Sequence, residues 1–182
     1  MSRDVIINET FIFGKKILVV DNVLNFTDRF LMLNDIKKEL KRNTVTTTED
    51  DYRPNEQTGR DFFKKYKSKS WERFHNNIIN IVESFYNYRA SVYQSWGLKI
   101  NATNRCKNYF HKHNVPVSGV YYFTVPEPEV SLLIRSQIGQ ASIPSVKNRL
   151  ILMPGDVMHS PNTEKCKSRR SRYSYAFDIG HF

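Results

Sequence analysis

The chain reads Tyr109-Phe110-His111-Lys112-His113-Asn114-Val115-Pro116-Val117-Ser118-Gly119-Val120-Tyr121-Tyr122-Phe123 in its second half, so that two histidines, a turn and an apolar run follow one another. The run from Val117 is rich in valine and aromatic residues and predicts a β-strand. In an extended backbone, residues i and i+2 project from the same face, so we expect His111 and His113 to point the same way. Two converging imidazoles predict part of a metal site, and a catalytic metal needs a third ligand from elsewhere.

Length and composition indicate one soluble domain. The chain has 182 residues, of which 40% are hydrophobic and 25% are charged, as in ordinary globular proteins. A single domain over residues 1–182 is therefore expected, and its oligomeric state is left open. We expect a cytoplasmic protein, because no signal peptide is recognisable and no stretch of sequence reaches membrane-spanning length.

Net charge indicates what kind of partner the protein binds, and the cysteine positions indicate whether it contains disulfides. The 28 lysines and arginines outnumber the 18 aspartates and glutamates, and the net charge of +10 favours binding of an anion. Nucleic acid, an acidic protein and a small carboxylate all satisfy that condition. Cys106 and Cys166 stand far apart and in no metal-binding spacing, so we expect free thiols rather than a disulfide framework.

The first half of the chain, residues 1–95, is expected to supply strands and helices that support the core. Phe11–Phe13 and Ile17–Val20 lie on either side of Gly14-Lys15-Lys16, which predicts two strands joined by a tight turn. An amphipathic helix is predicted from Thr27 to Arg42, because its apolar residues recur at helical spacing.

Two further segments complete this half. Residues 43–60 are rich in turn formers and predict an exposed loop, which is either a lid over a site or a plain connector. A second helix is predicted from Asp61 to Tyr93. Its aromatic-rich stripe is interpreted as core rather than as a surface for stacking nucleic-acid bases, and His75 as a surface or helix-packing residue. The stripe comprises Trp71, Phe74, Ile78, Ile81, Val82 and Phe85.

The second half, residues 96–182, is expected to hold most of the β core. Short apolar runs alternate with Pro, Gly and Asn turns, which is typical of an antiparallel sandwich or barrel. Helices followed by many strands indicate an α+β fold in which N-terminal helices buttress one face of the β core. The predicted strands are Val117–Val125, Val130–Arg135, Arg149–Met153 and Arg172–Ile179.

His159 is the candidate third ligand. It follows an apolar strand, the Pro154-Gly155 turn and a short second strand, and a rigid turn there would aim its ring inward. His181 is the penultimate residue, where fraying is expected, and is a poor ligand. Asp156 directly follows the turn and is interpreted as a turn or capping residue.

Arg172 is the candidate anion anchor. Strand alternation places Arg172, Ser174 and Ala176 on one face and aromatic residues on the other. A buried arginine and a buried hydroxyl need partners, and the carboxylate of a ligand would satisfy both. The alternative is an ordinary salt bridge from Arg172 to Asp178 or to another acid.

Taken together, these motifs resemble the 2-oxoglutarate and Fe(II)-dependent oxygenases. The resemblance is strongest to small oxygenases of marine bacteria and their phages, so a phage-encoded protein would act in the host cytoplasm. The resemblance spans roughly Trp96 to Asp178. Each motif is short, so the order and spacing of the motifs are more specific than any single motif. The motifs are His111-x-His113, Ser118-Gly119-Val120-Tyr121-Tyr122, Pro154-Gly155-Asp156 with His159, and Arg172-x-Ser174-x-Ala176-Phe177-Asp178.

The resemblance implies a double-stranded β-helix, a jelly-roll or cupin-like barrel, with Fe(II) in its mouth. His111 and His159 match the first and last iron ligands of the family. The implied activity is that of a dioxygenase, by default a hydroxylase. It would use O2, convert 2-oxoglutarate to succinate and oxidise a C–H bond of an unknown substrate.

The resemblance also implies how the cosubstrate is held. Arg172 and Ser174 match the pair that binds the far carboxylate of 2-oxoglutarate. Tyr122, or its neighbour Tyr121, is a candidate to hydrogen-bond that carboxylate. Only one of the two tyrosines can point inward, because neighbouring residues of a strand face opposite ways.

His113 departs from the pattern of the family, in which a carboxylate usually completes a two-histidine, one-carboxylate ligand set. An imidazole at that position leaves the site one negative charge short. His113 is therefore either the third ligand of a three-histidine iron site or an exposed histidine beside a metal-bound water. A zinc-loaded or catalytically silent site is a further alternative.

A different class of function is a basic jelly-roll module that binds nucleic acid or an acidic partner, with zinc in a vestigial site. Nucleic acid is open as a partner but is not favoured. The basic run Lys165–Arg170 lies between His159 and Arg172 and is either a solvated loop or a collar for an acidic or phosphate-bearing substrate. An enzyme should release succinate, whereas a binding module should bind polyanions with a steep salt dependence.

Overall fold

A computed structural model of the protein describes residues 4–43, 45–46, 55–100, 110–126, 131–162 and 170–181. These ranges contain three helices and eleven strands. In chain order they are β1 (Ile6–Ile12), β2 (Lys15–Asp21), α1 (Phe26–Arg42), β3 (Val45–Thr46), β4 (Asn55–Gln57), α2 (Phe62–Lys65), α3 (Lys69–Tyr86), β5 (Ala90–Ile100), β6 (Val117–Thr124), β7 (Ser131–Ser136), β8 (Gly139–Pro144), β9 (Arg149–Pro154), β10 (Met158–Asn162) and β11 (Arg172–His181).

The strands form two antiparallel sheets. The larger sheet has the order β1-β2-β9-β6-β11-β5-β4-β3, and the smaller one has the order β10-β7-β8. Neighbours in the larger sheet come from distant parts of the chain: β11 pairs with both β5 and β6, and β9 joins β6 to β2. The Pro154-Gly155 turn carries the chain from the larger sheet to the smaller one, since β9 belongs to the first and β10 to the second.

Two hydrophobic cores lie on opposite faces of the larger sheet. One core packs strand residues such as Tyr121 and Phe177 against α1 and α3. The other packs strand residues such as Tyr122 and Ile151 against the smaller sheet. Adjacent residues of one strand belong to different cores because side chains alternate across a strand. The result is a three-layer arrangement of helices, large sheet and small sheet, which confirms the predicted α+β jelly-roll with buttressing helices.

The N-terminal hairpin follows the sequence prediction. Strands β1 and β2 pair in antiparallel register from Ile6 opposite Asp21 to Ile12 opposite Lys15. Phe13 and Gly14, at the turn, have φ angles of 50° and 74°. Two successive positive φ angles are the signature of the type I′ turn, whose twist matches that of the flanking strands.

The first helix is also confirmed, with α1 spanning Phe26–Arg42. It begins at Asn25, whose side-chain oxygen accepts a hydrogen bond from the backbone N–H of Asp28 at 2.9 Å. Such a cap satisfies one of the amide groups that a helix leaves without a partner at its N-terminus.

The predicted helix from Asp61 to Tyr93 is wrong in its extent. It is divided into α2 and α3, and α3 ends at Tyr86, where Asn87 adopts a left-handed conformation with φ of 56°. Strand β5 then begins at Ala90 and pairs along its length with β11. Apolar periodicity could not reveal this end, because the partner strand lies some 80 residues later in the chain.

The interpretation of the aromatic stripe as core is confirmed. Trp71, Phe74, Ile78 and Val82 are fully buried against the larger sheet. His75 packs beside them, and its Nε2 atom shares a 2.8 Å hydrogen bond with the Tyr175 hydroxyl. His75 is thus a helix-packing residue, one of the two roles expected for it.

The predicted exposed loop at 43–60 is wrong at two places, because Val45–Thr46 and Asn55–Gln57 pair with each other as strands β3 and β4. Strand β4 pairs with β5, so residues 55–57 belong to the larger sheet. Thr58 is fully buried, and its hydroxyl accepts a hydrogen bond from the backbone N–H of Gly97 at 2.9 Å. Residues 47–54, where a lid was considered, lie outside the described residues. Across the described ranges, no helix combines the length and apolar character needed to cross a membrane.

Candidate metal centre

His111 and His159 are held opposite each other by their own backbones. The N–H of His111 donates to the carbonyl of His159 at 3.0 Å, and the N–H of His159 donates to the carbonyl of His111 at 2.9 Å. This isolated bridge ties the segment before β6 to β10. The centroids of the two imidazole rings lie 4.5 Å apart, as two ligands of one ion would require.

His113 joins them from the same segment. Its backbone N–H donates to the carbonyl of Gly155 at 2.8 Å, which fixes the segment against the turn between β9 and β10. Gly155 is required at this contact, because a Cβ atom there would lie 1.9 Å from the carbonyl oxygen of Val115. The His113 ring centroid lies 5.1 Å from that of His111 and 5.2 Å from that of His159.

The three imidazoles fit a metal ion. One nitrogen from each of His111, His113 and His159 lies within 4.8 Å of the others. Two nitrogens bound to one ion at about 2.1 Å can be at most about 4.2 Å apart, so an adjustment of the order of 1 Å brings all three into bonding distance. Neutral imidazole suits iron, zinc, copper and nickel, so the donor set by itself does not select one metal.

His159 is prepared for metal binding. Its Nδ1 atom lies 2.9 Å from the carbonyl oxygen of Val157 and donates to it, which leaves Nε2 with a lone pair for a metal. Burial lowers the pKa of His159 to about 4, and the neighbouring His113 acts in the same direction, whereas the Val157 carbonyl and Asp178 act against it. The ring is therefore neutral at physiological pH, the form that binds metals.

Asp178 lies behind the cluster, whereas the sequence had suggested it only as a salt-bridge partner of Arg172. Its side chain is 1% exposed, and its Oδ1 atom lies 2.8 Å from Nδ1 of His113. The side-chain amide of Gln94 donates to its other oxygen, Oδ2. Strand alternation could have found this residue, because Asp178 shares the face of Arg172, Ser174 and Ala176.

Aromatic stacking orients the His113 ring further. Trp96 lies parallel to that ring, with a centroid separation of 6.0 Å and an interplanar angle of 10°. The Arg60 guanidinium covers the indole at 4.9 Å from its centroid. Neither residue carries a recognisable motif in the sequence, since each reaches the site only through the pairing of β5 with its neighbours.

The histidines open into a cavity of about 630 Å³ that also contains the predicted anion anchor. Arg172, Ser174 and Tyr122 line the same cavity and are almost fully buried. The Arg172 guanidinium carbon lies 5.7 Å from the centre of the Tyr122 ring. Burial raises the pKa of Tyr122, and Arg172 partly opposes that shift, so the phenol is protonated and can donate a hydrogen bond.

Tyr121 faces the other way. Its ring packs against Phe74 on α3 at 5.1 Å, and its hydroxyl donates to Oδ1 of Asn148 at 2.6 Å. It belongs to the core beneath the helices and does not line the cavity. Of the two tyrosines considered for the cosubstrate carboxylate, Tyr122 is the one that points inward.

The other residues considered from sequence lie away from the cluster. Asp156 sits in the turn after β9 and is paired with Lys15 at the surface, as its interpretation as a turn residue requires. His181 ends β11. Cys106, Cys166 and residues 165–169 of the basic run lie outside the described residues, and Arg170 at the end of that run is exposed.

Comparison with solved structures defines the class of fold. HygX from Streptomyces hygroscopicus, solved with nickel, 2-oxoglutarate and hygromycin B bound, is 12% identical with a TM-score of 0.70, over 91% of this chain and 82% of HygX. SnoK, a non-heme α-ketoglutarate-dependent carbocyclase from nogalamycin biosynthesis, is 11% identical with a TM-score of 0.74, over 91% and 79%. A Pseudomonas putida prolyl-4-hydroxylase is 10% identical with a TM-score of 0.67, over 91% and 92%.

Structural similarity at sequence identities of 10–12% shows a shared fold and no more than that. The chain has the double-stranded β-helix fold of the 2-oxoglutarate-dependent oxygenases, and the fold extends over nearly the whole of it. No family model matches the sequence, and no curated protein matches it. The resemblance to proteins of marine bacteria and phages stays a prediction.

Proposed function

We propose that the protein is a non-heme Fe(II), 2-oxoglutarate-dependent oxygenase, by default a hydroxylase. The observation that carries the proposal is one cavity lined both by three converging histidines and by the buried Arg172. The fold shared with 2-oxoglutarate-dependent enzymes supports it. When bound, iron and 2-oxoglutarate supply the oxidising chemistry, in which O2 is consumed and succinate and CO2 are released.

The histidines are proposed to hold the metal. His111, His113 and His159 would hold the ion at the wall of the cavity, next to the space proposed for the cosubstrate. Arg172, Ser174 and Tyr122 are buried in the cavity wall, and electrostatic interactions are stronger at such sites than in water.

Arg172, Ser174 and Tyr122 are proposed to bind 2-oxoglutarate. The guanidinium of Arg172 is buried at 3% exposure, and a dicarboxylate whose far end reaches it would form a charge-assisted ion pair. The hydroxyls of Ser174 and Tyr122 would donate to the same carboxylate. These contacts orient the keto acid so that its other end points to the metal.

The unknown substrate is proposed to carry negative charge. The exposed side chains of Arg60 and Lys112 line the cavity, and the described lining contains one acid, Asp178, which is bound to His113 and Gln94. Cations at a cavity entrance raise the local concentration of anions and speed their association. The net charge of +10 acts in the same direction.

The test is succinate release by purified protein supplied with Fe(II), 2-oxoglutarate and O2. His111→Ala is expected to abolish metal-dependent release. Arg172→Gln is expected to weaken 2-oxoglutarate binding by about 2 kcal/mol or more, roughly 30-fold in affinity, because it removes one partner of a buried charge pair. Arg29→Gln, a change at an arginine outside the cavity, serves as the control and should change neither quantity.

Two results would reject the proposal. Unchanged metal content and turnover in His111→Ala would show that the cluster is not the metal site. An absence of succinate, combined with tight binding of a polyanion that weakens steeply with salt, would favour the binding module instead.

A further inference from the structure

The site holds a carboxylate that is not part of the histidine cluster. His113 stands where the related enzymes usually carry an acidic ligand, so the three imidazoles alone bring no negative charge to a metal. Asp178 lies directly behind His113, with Oδ1 at 2.8 Å and Oδ2 at 3.0 Å from Nδ1 of that ring. The missing acid is therefore present one hydrogen bond further from the metal.

We propose that Asp178 is a positioning residue for the metal centre, which acts through His113 as a carboxylate–histidine–metal relay. The proposal rests on the proposed function for the identity of the metal, while the contact between the two side chains is a feature of the protein itself. Asp178 fixes which nitrogen of His113 carries the proton and supplies, through the ring, the negative charge that the ligand set lacks.

The geometry determines the role of each ring nitrogen. A carboxylate accepts hydrogen bonds, so Nδ1 of His113 must carry the hydrogen that points at Asp178. The lone pair is then on Nε2, the ring nitrogen remote from Asp178. A carboxylate on the far nitrogen makes an imidazole a stronger ligand and holds its plane, which is the usual effect of such partners on metal-bound histidines.

Asp178 is itself held in place from two sides. In β11 it lies directly opposite Gln94 of β5, whose side-chain amide donates to Oδ2, and opposite Ser118 of β6. A buried carboxylate is costly unless it is hydrogen-bonded, and here the imidazole of His113 and the amide of Gln94 both donate to Oδ2. The register of β11 against β5 shifts directly after Asp178.

Trp96 further restricts the orientation of the His113 ring. Its indole lies parallel to the His113 imidazole on the strand that also carries Gln94. Rotation of the imidazole about its Cβ–Cγ bond would lose both the stacking on Trp96 and the hydrogen bond to Asp178. Thus β5 and β11 together set the direction of the Nε2 lone pair before any metal binds.

The first experiment measures the affinity of metal-free protein for Fe(II) in the absence of oxygen. Asp178→Asn preserves the shape of the side chain and removes its charge, and it is expected to weaken Fe(II) binding by about 10- to 100-fold. Asp61→Asn is the matched control, because it removes the same charge from an exposed side chain outside the cavity. Equal affinities of Asp178→Asn and the control would overturn the proposal.

A double-mutant cycle separates a relay from a direct ligand. If Asp178 acts through His113, Asp178→Asn should add less than about 2-fold to the loss of affinity caused by His113→Ala. If Asp178 binds the metal itself, the two losses should multiply, and the relay would be excluded.

A spectroscopic measurement on the unmodified chain covers the case in which Asp178→Asn does not fold. Nitrogen NMR of ¹⁵N-histidine-labelled protein loaded with Zn(II) should show His113 protonated at Nδ1 and metal-bound at Nε2. Metal bound at Nδ1 would overturn the proposal. None of these readouts needs turnover, so a protein that binds metal as described but releases no succinate would reject the proposed function and leave the relay intact.

Discussion

The two faces of the larger sheet are built from alternate residues of the same strands, and yet they differ in kind. Toward the helices, β6 and β11 present Tyr121, Phe123, Tyr175 and Phe177 to a dense aromatic core. Toward the cavity, β11 presents Arg172, Ser174 and Asp178, which are also almost fully buried. Strand β11 thus carries a hydrophobic face and a buried polar face, one residue apart.

The difference shows how the protein accommodates its site. Burial of apolar side chains on the helix face is favourable by about 25 cal/mol per Å². Burial of a guanidinium and a carboxylate on the other face is unfavourable unless each group has partners. We therefore expect substitutions on the helix face to change mainly stability, and substitutions on the cavity face to change mainly ligand binding.

The strongest test of this division is Trp71→Ala. The indole contacts Phe62 and Tyr175 at centroid distances of 5.1 and 4.8 Å, and its N–H donates to Asp35. Truncation should lower the free energy of unfolding by about 3–5 kcal/mol, because it leaves a cavity in the aromatic core. Urea denaturation measures the loss. The exposed Phe30→Ala should cost less than about 1 kcal/mol, and similar losses for both variants would contradict the division.

Lowering the pH is expected to have an intermediate effect on the free energy of unfolding. Burial lowers the pKa of His75 to about 4, whereas its value in the unfolded chain is near 6.5. Between these two pH values the unfolded chain binds the extra proton, so stability should fall as the pH is lowered from 6.5 towards 4, by about 2–3 kcal/mol for this residue.

His75→Gln isolates that contribution in metal-free protein. Glutamine can still hydrogen-bond with the Tyr175 hydroxyl but does not titrate. The variant should therefore show a flatter dependence of unfolding free energy on pH across this window. Some slope should persist, because burial lowers the pKa of His159 in the same way. Identical slopes in the two proteins would show that His75 is not buried in its neutral form.

The smallest effect should come from the two neighbouring tyrosines of β6. Tyr121→Phe removes the hydrogen bond to Asn148 and should lower stability by about 1 kcal/mol without changing 2-oxoglutarate affinity. Tyr122→Phe should weaken 2-oxoglutarate binding by about 1 kcal/mol, roughly 5-fold. Denaturation and cosubstrate titration of both variants provide the comparison. A loss of 2-oxoglutarate affinity in Tyr121→Phe, with only a loss of stability in Tyr122→Phe, would contradict the assignment of Tyr122 to the cavity face.

Much of this pattern was visible in the sequence. The i, i+2 spacing of His111 and His113 predicted that they converge, and alternation along β11 placed Arg172 and Ser174 on one face. These rules succeed because they depend on local backbone geometry. They failed at β4 and at the start of β5, where pairing with a distant strand decided the structure.

Sequence-based prediction of the site is limited in the same way. Asp178 could have been placed on the cavity face from its spacing, but its contact with His113 joins residues 65 positions apart. Trp96 and Gln94 reach the site only because β5 lies beside β11. Such contacts depend on sheet order, which no short stretch of sequence encodes.

By itself, the sequence determined the helix and strand periodicity, the two-faced character of β6 and β11, and the three histidines with Arg172 as candidates. The tertiary structure alone decided which tyrosine faces the cavity and which side chain supports His113. The physical reason is the distance along the chain over which each feature is determined. Side-chain alternation is fixed by the neighbouring peptide units, whereas the partners of a buried charge come from whichever strands the sheet brings alongside it.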